Sequence, residues 1–266
     1  MEEIVRNDWE VIRFRNDSFF TDQEVIATES PFTIVVNGEE FATIVCTPTN
    51  MRELLVGFLA SEGIIRFYDD IESLTVDQPR GFAYVDINTS LKDIHKNHSK
   101  RFIGSCCGKS RQFYFTNDLK TAKTITNPLS ITANQCYDLM NTLQRQSTYF
   151  QETGGIHNAA LCTVNKVILI HTDIGRHNTL DKIYGDVLMK QISLANKLIV
   201  FSGRVSSEVL LKVSKIGIGL LLSKSAPTDL ALQFAQDLGI TVIGFLRGKK
   251  MNVYTHPERI INTNEI

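Results

Sequence analysis

The stretch KLIVFSGRVSSEVLLKVSKIGIGLLLSKSAPT, residues 197–228, decides the fold of the chain. Its apolar run Lys197–Phe201 predicts a buried strand, the apolar spacing of Ser207–Lys215 predicts a helix, and Leu220–Leu222 predicts a second strand. Two strands joined by one helix are typical of a crossover connection between parallel strands. The stretch therefore predicts an α/β domain.

The same alternation of helix and strand continues on both sides of this stretch. The further elements are Val167–Ile170, Thr179–Met189, Asp229–Leu238 and Thr241–Phe245. Before them, a strand pair turns at Asn165-Lys166, and a helix starts at the capping box Thr132-Ala-Asn-Gln135. We place the domain boundary near Thr126-Asn-Pro128 and assign residues 126–266 to this domain.

Residues 1–125 are predicted to form a smaller, strand-rich α+β domain that carries two adjacent cysteines. Its predicted strands are Glu10–Phe14, Glu24–Thr28, Phe32–Val36, Phe41–Val45, Phe82–Ile87 and Phe113–Phe115. Asn37-Gly38 lies between two of them and is a strong hairpin signal. A helix is expected to start with Asn50 as its N-cap, and Glu62 near its end is expected to be solvated.

Composition limits the classes of function. With 266 residues, 43% of them hydrophobic, the chain can bury a full core. Its 28 basic and 29 acidic residues give a net charge of −1, which does not indicate a bulk electrostatic attraction to nucleic acid or to an anionic membrane. We expect a cytoplasmic protein, because no run approaches the ~18 apolar residues of a membrane span and the five cysteines lack a disulfide spacing.

Cys106 and Cys107 stand together in the small, polar stretch Arg101–Arg111. Nearby cations such as Lys109 lower the pKa of a thiol and favour the nucleophilic thiolate, so the pair is a candidate for covalent chemistry. The alternative is a pair of small buried side chains, which the glycines and serines around it disfavour. A disulfide between adjacent residues would be strained, since their Cα atoms are only about 3.8 Å apart.

The residue spacing argues against two more specific interpretations of the cysteine stretch. A phosphate-binding P-loop needs four residues between its glycines, whereas Gly104 and Gly108 are separated by three. A structural zinc site needs two chelating pairs, and the other cysteines are scattered singly at Cys46, Cys136 and Cys162. We therefore expect no structural metal.

Four loops rich in glycine, hydroxyl groups and basic residues follow the predicted strands: 173–178, 202–207, 223–228 and 246–250. Since ligands of α/β sheets bind outside the carboxyl ends of the strands, we expect these loops to line one crevice. Helix N-termini and basic side chains favour an anion there, such as a phosphate or pyrophosphate. The candidate binding residues are Asp173, Gly175, Arg176, His177, Ser202, Gly203, Arg204, Ser225 and Thr228.

The stretch Thr153–Asn158 adds Gly155 and His157 as candidates. Gly155 permits close approach of a ligand to the backbone, and His157 is either a functional group or a structural histidine. The same two possibilities stay open for His177. A zinc deaminase would show His-x-Glu followed by Pro-Cys-x-x-Cys, and the residues after His157 do not fit that pattern.

Six ordered motifs give the chain a resemblance to the FdhD/NarQ family, sulfur carriers needed to activate formate dehydrogenases. They are Gly57–Gly63, Thr153–His157, Asp173–Asn178 with Asp181-Lys182, Ser202–Glu208, Ser225–Thr228 and Gly244–Gly248. The resemblance implies a C-terminal three-layer, cytidine-deaminase-like domain with a mixed sheet. It also implies a cysteine desulfurase and a formate dehydrogenase apoenzyme as partners, a homodimer, and the molybdenum guanine dinucleotide cofactor (bis-MGD) as cargo.

The resemblance also implies roles for particular residues. Many family members resemble Ser-Ser-Cys-Gly-x-Cys-Gly, and an ungapped match places the first cysteine on Cys107 and the second on Ser110. This favours Cys107 as the persulfide carrier with Cys106 as auxiliary, whereas a two-residue deletion would reverse the choice. The implied cofactor contacts are Phe245, Leu246, Arg247, Gly248, Lys249 and Lys250.

The alternative to a sulfur carrier is a binding module that delivers a guanine nucleotide or its cofactor without covalent sulfur chemistry. In that case the cysteines would act only as redox sensors. A nucleotide hydrolase is disfavoured, because the crevice loops contain no paired carboxylates.

Overall fold

The computed structural model describes residues 4–88, 101–103, 122–126 and 129–261. Its first part contains a two-stranded antiparallel ribbon and a five-stranded sheet of order β5-β6-β3-β4-β7. The strands are β1 Val5–Arg15, β2 Ser18–Ala27, β3 Ser30–Val36, β4 Glu39–Cys46, β5 Ile71–Asp77, β6 Phe82–Ile87 and β7 Arg101–Ile103. The Asn37-Gly38 hairpin is confirmed between β3 and β4. The predicted strand Phe113–Phe115 lies outside the described residues.

Helix α1, Met51–Ser61, covers this sheet with an almost wholly buried surface, and two predictions at its ends were wrong. Asn50 precedes the helix in a left-handed conformation with φ 52° and makes no side-chain cap, because capping needs an extended backbone. Glu62 is only 9% exposed. The helix ends against the second part of the chain, where Lys215 Nζ donates to the Ser61 carbonyl at 2.6 Å, so solvent is excluded there.

The second part has three layers around a six-stranded mixed sheet of order β10-β9-β11-β12-β13-β14. Its strands are β8 Ile131–Thr132, β9 His157–Cys162, β10 Val167–Asp173, β11 Leu198–Phe201, β12 Leu220–Ser223, β13 Thr241–Arg247, β14 Lys250–Val253 and β15 Ile260–Ile261. Its helices are α2 Ala133–Arg145, α3 Thr148–Thr153, α4 Arg176–Met189, α5 Ser207–Ile216 and α6 Asp229–Leu238. Helix α2 covers one face, and α4, α5 and α6 cover the other.

The direction of the predicted strands is confirmed. Strands β11, β12 and β13 are parallel, and β10 runs the same way because β9 is antiparallel to both of its neighbours, β10 and β11. The alternation did not reveal that β9 lies between β10 and β11. The capping box of α2 is confirmed by bonds from Thr132 N to Gln135 Oε1 and from Gln135 N to Thr132 Oγ1.

The two parts share one apolar core, which is continuous where α1 crosses α4. The helices touch backbone to backbone there: a Cβ on Gly57 would lie 1.7 Å from the Asp181 carbonyl oxygen, and one on Gly185 would lie 2.0 Å from that of Glu53. The domain boundary near residue 126 stays a prediction. No helix in the described ranges is long and apolar enough to cross a bilayer.

Candidate functional site

The carboxyl ends of β10, β11, β12 and β13 lie along one edge of the mixed sheet, and β9 begins at the same edge. Their loops bond to one another: Ser225 Oγ donates to the Ser202 carbonyl at 3.2 Å, and Arg247 Nε donates to the Lys224 carbonyl at 3.0 Å. The Phe245 amide donates to the Ser225 carbonyl at 3.2 Å. The loops are therefore fixed as one surface.

A cavity of about 330 Å³ opens between these loops and the helices α2 and α3, within the size range of small-molecule sites. Its lining residues are Met140, Leu143, Gln144, Ser147, Phe150, Gln151, His157, Asn158, Ser202, Lys224, Ser225 and Arg247. The sequence-based candidates His157, Ser202, Ser225 and Arg247 meet here, together with the loop cation Lys224. The residues of α2 and α3 were not foreseen, since no local signal distinguishes them from ordinary helix residues.

Asn158 is a cavity residue whose side chain is almost completely enclosed, at 2% exposure. Its backbone exchanges hydrogen bonds with Ser202: Asn158 N donates to Ser202 Oγ at 2.9 Å, and Ser202 N donates to the Asn158 carbonyl at 3.0 Å. Its side-chain oxygen accepts from Thr172 Oγ1 at 2.7 Å. Its side-chain nitrogen, Nδ2, is buried and has no partner among the described residues.

Two basic side chains of the cavity, those of Lys224 and Arg247, lie close to aromatic rings. Lys224 Nζ lies 5.5 Å from the centroid of the Phe150 ring, and the guanidinium of Arg247 lies 6.0 Å from that of Phe245. Phe245 has φ 51° and remains 42% exposed. A bulky residue in the left-handed region is strained, and such strain clusters at binding sites.

The remaining residues of the segment 245–250 are placed differently. Leu246 is buried in the core on the α2 side of the sheet, so only its backbone faces the loops. Gly248 has φ 56° in the turn between β13 and β14. The carbonyl of Lys249 accepts from the Tyr137 hydroxyl at 3.1 Å, and Lys250 begins β14.

Asp173 is completely buried, where it connects several elements, and it does not line the cavity. Its Oδ2 lies 2.7 Å from Lys182 Nζ and accepts from the Thr47 amide at 3.2 Å. Its Oδ1 accepts from the Gly175 amide and from Asn178 Nδ2, both at 2.8 Å. Burial raises the pKa of this carboxyl, against the opposing effect of Lys182.

His157, which lines the cavity, forms a second group with His177 and Arg176. His177 Nε2 lies 3.2 Å from Glu208 Oε2, and burial lowers the pKa of His177. Burial also lowers the pKa of His157, with the positive charge of Arg176 and the nearby His177 adding to the effect. Arg176 Nε is buried without a partner among the described residues. Within those same residues, no three His, Cys, Asp or Glu side chains group to hold a metal ion.

The other candidates lie in the loops but not in the cavity wall. Gly155 and Arg204 are exposed. The Gly203 carbonyl accepts from Ser223 Oγ at 2.8 Å, and the Thr228 amide donates to the Val205 carbonyl at 2.9 Å. These residues shape the loops around the cavity.

Cys106 and Cys107 lie outside the described residues. The other three cysteines, Cys46, Cys136 and Cys162, are buried. Burial raises the pKa of both Cys136 and Cys162 to about 12, which removes the reactive thiolate at neutral pH.

The strand that leads into the cysteine stretch ends close to the sheet edge described above. Strand β7 runs parallel to β4, with Ile103 paired to Ile44. Just beyond the end of β4, Thr47 Oγ1 accepts from the Ile174 amide at 2.9 Å. The last described residue before the cysteines therefore lies beside the end of β4 that contacts the loop 173–178.

Comparisons with known proteins agree on one family. The model of the FdhD/NarQ family matches residues 27–261. The chain is 58% identical over 251 residues to the sulfur carrier protein FdhD of Geobacillus kaustophilus, covering 94% of this chain and 95% of that protein. It is 52% identical over 256 residues to the protein of that name from Bacillus subtilis, covering 96% and 97%.

A solved structure supports the fold. The crystal structure of a putative formate dehydrogenase accessory protein from Desulfotalea psychrophila superposes with a TM-score of 0.80 at 23% identity. The match covers 97% of this chain and 100% of that one. The mixed α/β architecture is thus shared over nearly the whole length.

Proposed function

The chain belongs to the FdhD/NarQ family, and from this premise we propose that it is a sulfur carrier that serves the maturation of a formate dehydrogenase. Relatives that cover nearly all of this chain are named sulfur carrier proteins. In the proposed reaction, a cysteine desulfurase supplies a persulfide and Cys107 accepts its terminal sulfur. Cys106 is the auxiliary thiol.

The observation that carries this proposal is the state of the other cysteines. Cys46, Cys136 and Cys162 are buried, so a desulfurase cannot reach them. Among the five cysteines of the sequence, Cys106 and Cys107 are left as candidates, and basic residues flank them. A thiolate is the attacking form, and those cations favour it.

The transfer needs no external oxidant at the loading step. The Cys107 thiolate attacks the terminal sulfur of the desulfurase persulfide, the S–S bond of that persulfide breaks, and the desulfurase cysteine leaves as a thiolate. Cys107 then carries the new S–S bond. On delivery, a reduced molybdenum centre supplies two electrons, takes the terminal sulfur as a sulfide ligand and leaves Cys107 as a thiolate.

We propose that the cavity at the sheet edge holds the guanine nucleotide part of the bis-MGD cargo. The residues present fit such a ligand: Met140, Leu143 and Phe150 offer apolar surface to a base, and Lys224 and Arg247 offer charge to phosphates. The strained, exposed Phe245 stands beside Arg247, where it can stack on a flat group. The client apoenzyme would receive the cargo after sulfur transfer.

Sulfur loading tests the carrier role. The protein is incubated with a cysteine desulfurase and ³⁵S-cysteine, and peptides are analysed by mass spectrometry for an added sulfur. We expect one added sulfur on the peptide with Cys106 and Cys107, and its loss in the Cys106→Ala, Cys107→Ala double variant. The single variants decide between the two thiols.

A matched control replaces Cys136 and Cys162, the two thiols with raised pKa. The Cys136→Ala, Cys162→Ala variant should load sulfur as the wild type does. Unchanged loading in the Cys106→Ala, Cys107→Ala variant would contradict the carrier role. Full activation of a formate dehydrogenase by that variant would favour the binding module without sulfur chemistry.

A further inference from the structure

The side-chain nitrogen of Asn158 is a hydrogen-bond donor that the fold leaves unused. It is buried in the cavity wall and has no partner among the described residues. A buried donor without a partner is costly, and native proteins nearly always satisfy such groups with protein, water or a ligand. Its position in a cavity indicates that a ligand atom completes it.

The position of Asn158 is fixed before any ligand binds. Two backbone hydrogen bonds tie it to Ser202, and the Thr172 hydroxyl holds its side-chain oxygen at 2.7 Å. In this orientation the amide presents its NH₂ group as the free end. The donor is thus preorganised, which reduces the entropic cost of using it.

The alternation of side chains along β9 shows which part of the cavity this donor faces. Ala160 and Cys162 pack on the α2 side of the sheet, and Asn158 shares their face because side chains alternate with a period of two. Met140 and Leu143 of α2 line the cavity on that same side. Asn158 is therefore a neutral donor on the same side of the sheet as the apolar side chains of Met140 and Leu143, a setting that suits a base better than a phosphate.

The two basic residues of the cavity belong to strands farther along the sheet from Asn158. Lys224 follows β12 and Arg247 ends β13, two and three strands away from Asn158 on β9. Neighbouring strands are about 4.8 Å apart, so the backbones that carry the two cations lie roughly 10 Å or more from the backbone of Asn158. A nucleotide spans such a distance with its base at one end and its phosphates at the other.

We infer that Asn158 is a specificity-determining residue of the cavity, whose Nδ2 donates a hydrogen bond to the 6-oxo group of a purine base. This inference rests on the proposed role of the cavity in holding a guanine nucleotide. The Asn158 NH₂ group can donate to the 6-oxo oxygen of guanine or hypoxanthine, whereas the 6-amino group of adenine is itself a donor and cannot accept this hydrogen bond. Sites built to pair one polar group discriminate strongly against the analogue that lacks it.

Binding of three diphosphates to the full chain, measured by isothermal titration calorimetry, tests the inference. The probes are GDP, IDP and ADP, and IDP removes the contribution of the 2-amino group of guanine while it keeps the 6-oxo group. We expect GDP and IDP to bind at least about tenfold more tightly than ADP, as one buried hydrogen bond warrants. In Asn158→Ala the three affinities should agree within about threefold.

Two further variants separate the base from the phosphates and guard against misfolding. Lys224→Ala should weaken all three ligands by a similar factor and keep the preference for 6-oxo purines. Thr172→Val removes the hydroxyl that orients the amide, so the preference should fall while Asn158 is still present. Thr172→Val therefore tests the inference even if Asn158→Ala does not fold.

The outcomes distinguish this inference from the proposed function. A folded Asn158→Ala variant that keeps the wild-type preference, or a wild type without a preference, overturns the role of Asn158. Failure of all three ligands to bind overturns that role and the nucleotide role of the cavity together. Sulfur loading on Cys106 or Cys107, measured separately, decides the carrier function in each case.

Discussion

At the scale of single residues, burial controls the charges around the sheet edge. Asp173 and Lys182 form a completely enclosed ion pair, and Asp173 also receives the amides of Thr47 and Gly175. Burying such an ion pair costs free energy of desolvation. It holds the surrounding groups in one geometry when every lone pair of the carboxylate accepts a hydrogen bond. Here it ties the end of β4 to the loop 173–178, so Asp173 is a positioning residue that supports the site from behind.

The burial of His177 makes the stability of the folded protein depend on pH. Burial lowers its pKa, despite the opposing contact with Glu208, so the unfolded chain binds the proton more tightly than the folded chain. The stability that neutral His177 contributes is therefore fully present above the pKa of this histidine in the unfolded chain, about 6.5. It is lost as the pH falls below that value. His157 acts in the same direction.

We expect the melting temperature of the wild type to fall as pH is lowered from 7 to 5, and to fall less in His177→Gln. The glutamine keeps a donor for Glu208 but takes up no proton. Melting curves at constant ionic strength check this. Curves that decline in parallel for both proteins would show that protonation of His177 does not contribute.

Only some of the residues that line the cavity can be predicted from the sequence. Ser202, Ser225 and Arg247 were predicted because each follows a strand whose direction can be inferred from the alternation. Phe150 and Gln151 could not be predicted, since they come to the site only when α2 and α3 pack over the sheet edge. That packing is a tertiary contact without a local pattern.

At the scale of elements, the crossing of α1 and α4 depends on two glycines. A Cβ on Gly57 would overlap the backbone of Asp181 and Gly185, and neither backbone can move without moving its helix. We expect Gly57→Ala to lower the free energy of unfolding by about 3 kcal/mol, as overpacking does in a tight core. Urea denaturation followed by circular dichroism measures it.

Gly155→Ala is the matched control for this substitution. Its Cβ would meet only ordinary contacts, the nearest being Ala27 Cβ at 3.6 Å, and its φ is not in the left-handed region. Its free energy of unfolding should stay within about 0.5 kcal/mol of the wild type, as for most surface substitutions. Equal effects of the two substitutions would refute close packing as the cause.

Element types were easier to predict than element order. The helices after β10, β11 and β12 were predicted within a few residues, because each has an apolar face between two strands. The place of β9 between β10 and β11 was not predicted, since alternation gives direction but not neighbours. Strand β5 was missed, because its sequence IESLTVD mixes polar and apolar residues without a clear period.

At the scale of the whole molecule, polar contacts accompany the shared core at the junction of the two parts. Ser61 Oγ donates to Asp181 Oδ1 at 2.6 Å, and Lys212 Nζ lies 2.5 Å from the same oxygen. These groups come from α1, α4 and α5 and are all buried. Separation of the two parts would take the Ser61 hydroxyl away from Asp181 and would expose the apolar surface of α1, so we expect neither part to be stable without the other.

The chain should therefore unfold in one cooperative transition, although proteins of this size often pass through intermediates. Differential scanning calorimetry should give a calorimetric enthalpy close to the van't Hoff enthalpy, with one peak. Gly57→Ala should move the whole peak to lower temperature without splitting it, because the substitution weakens the interface on which both parts depend. Two resolved peaks in the wild type, or one peak of the variant that stays at the wild-type temperature, would mean that the two parts fold independently.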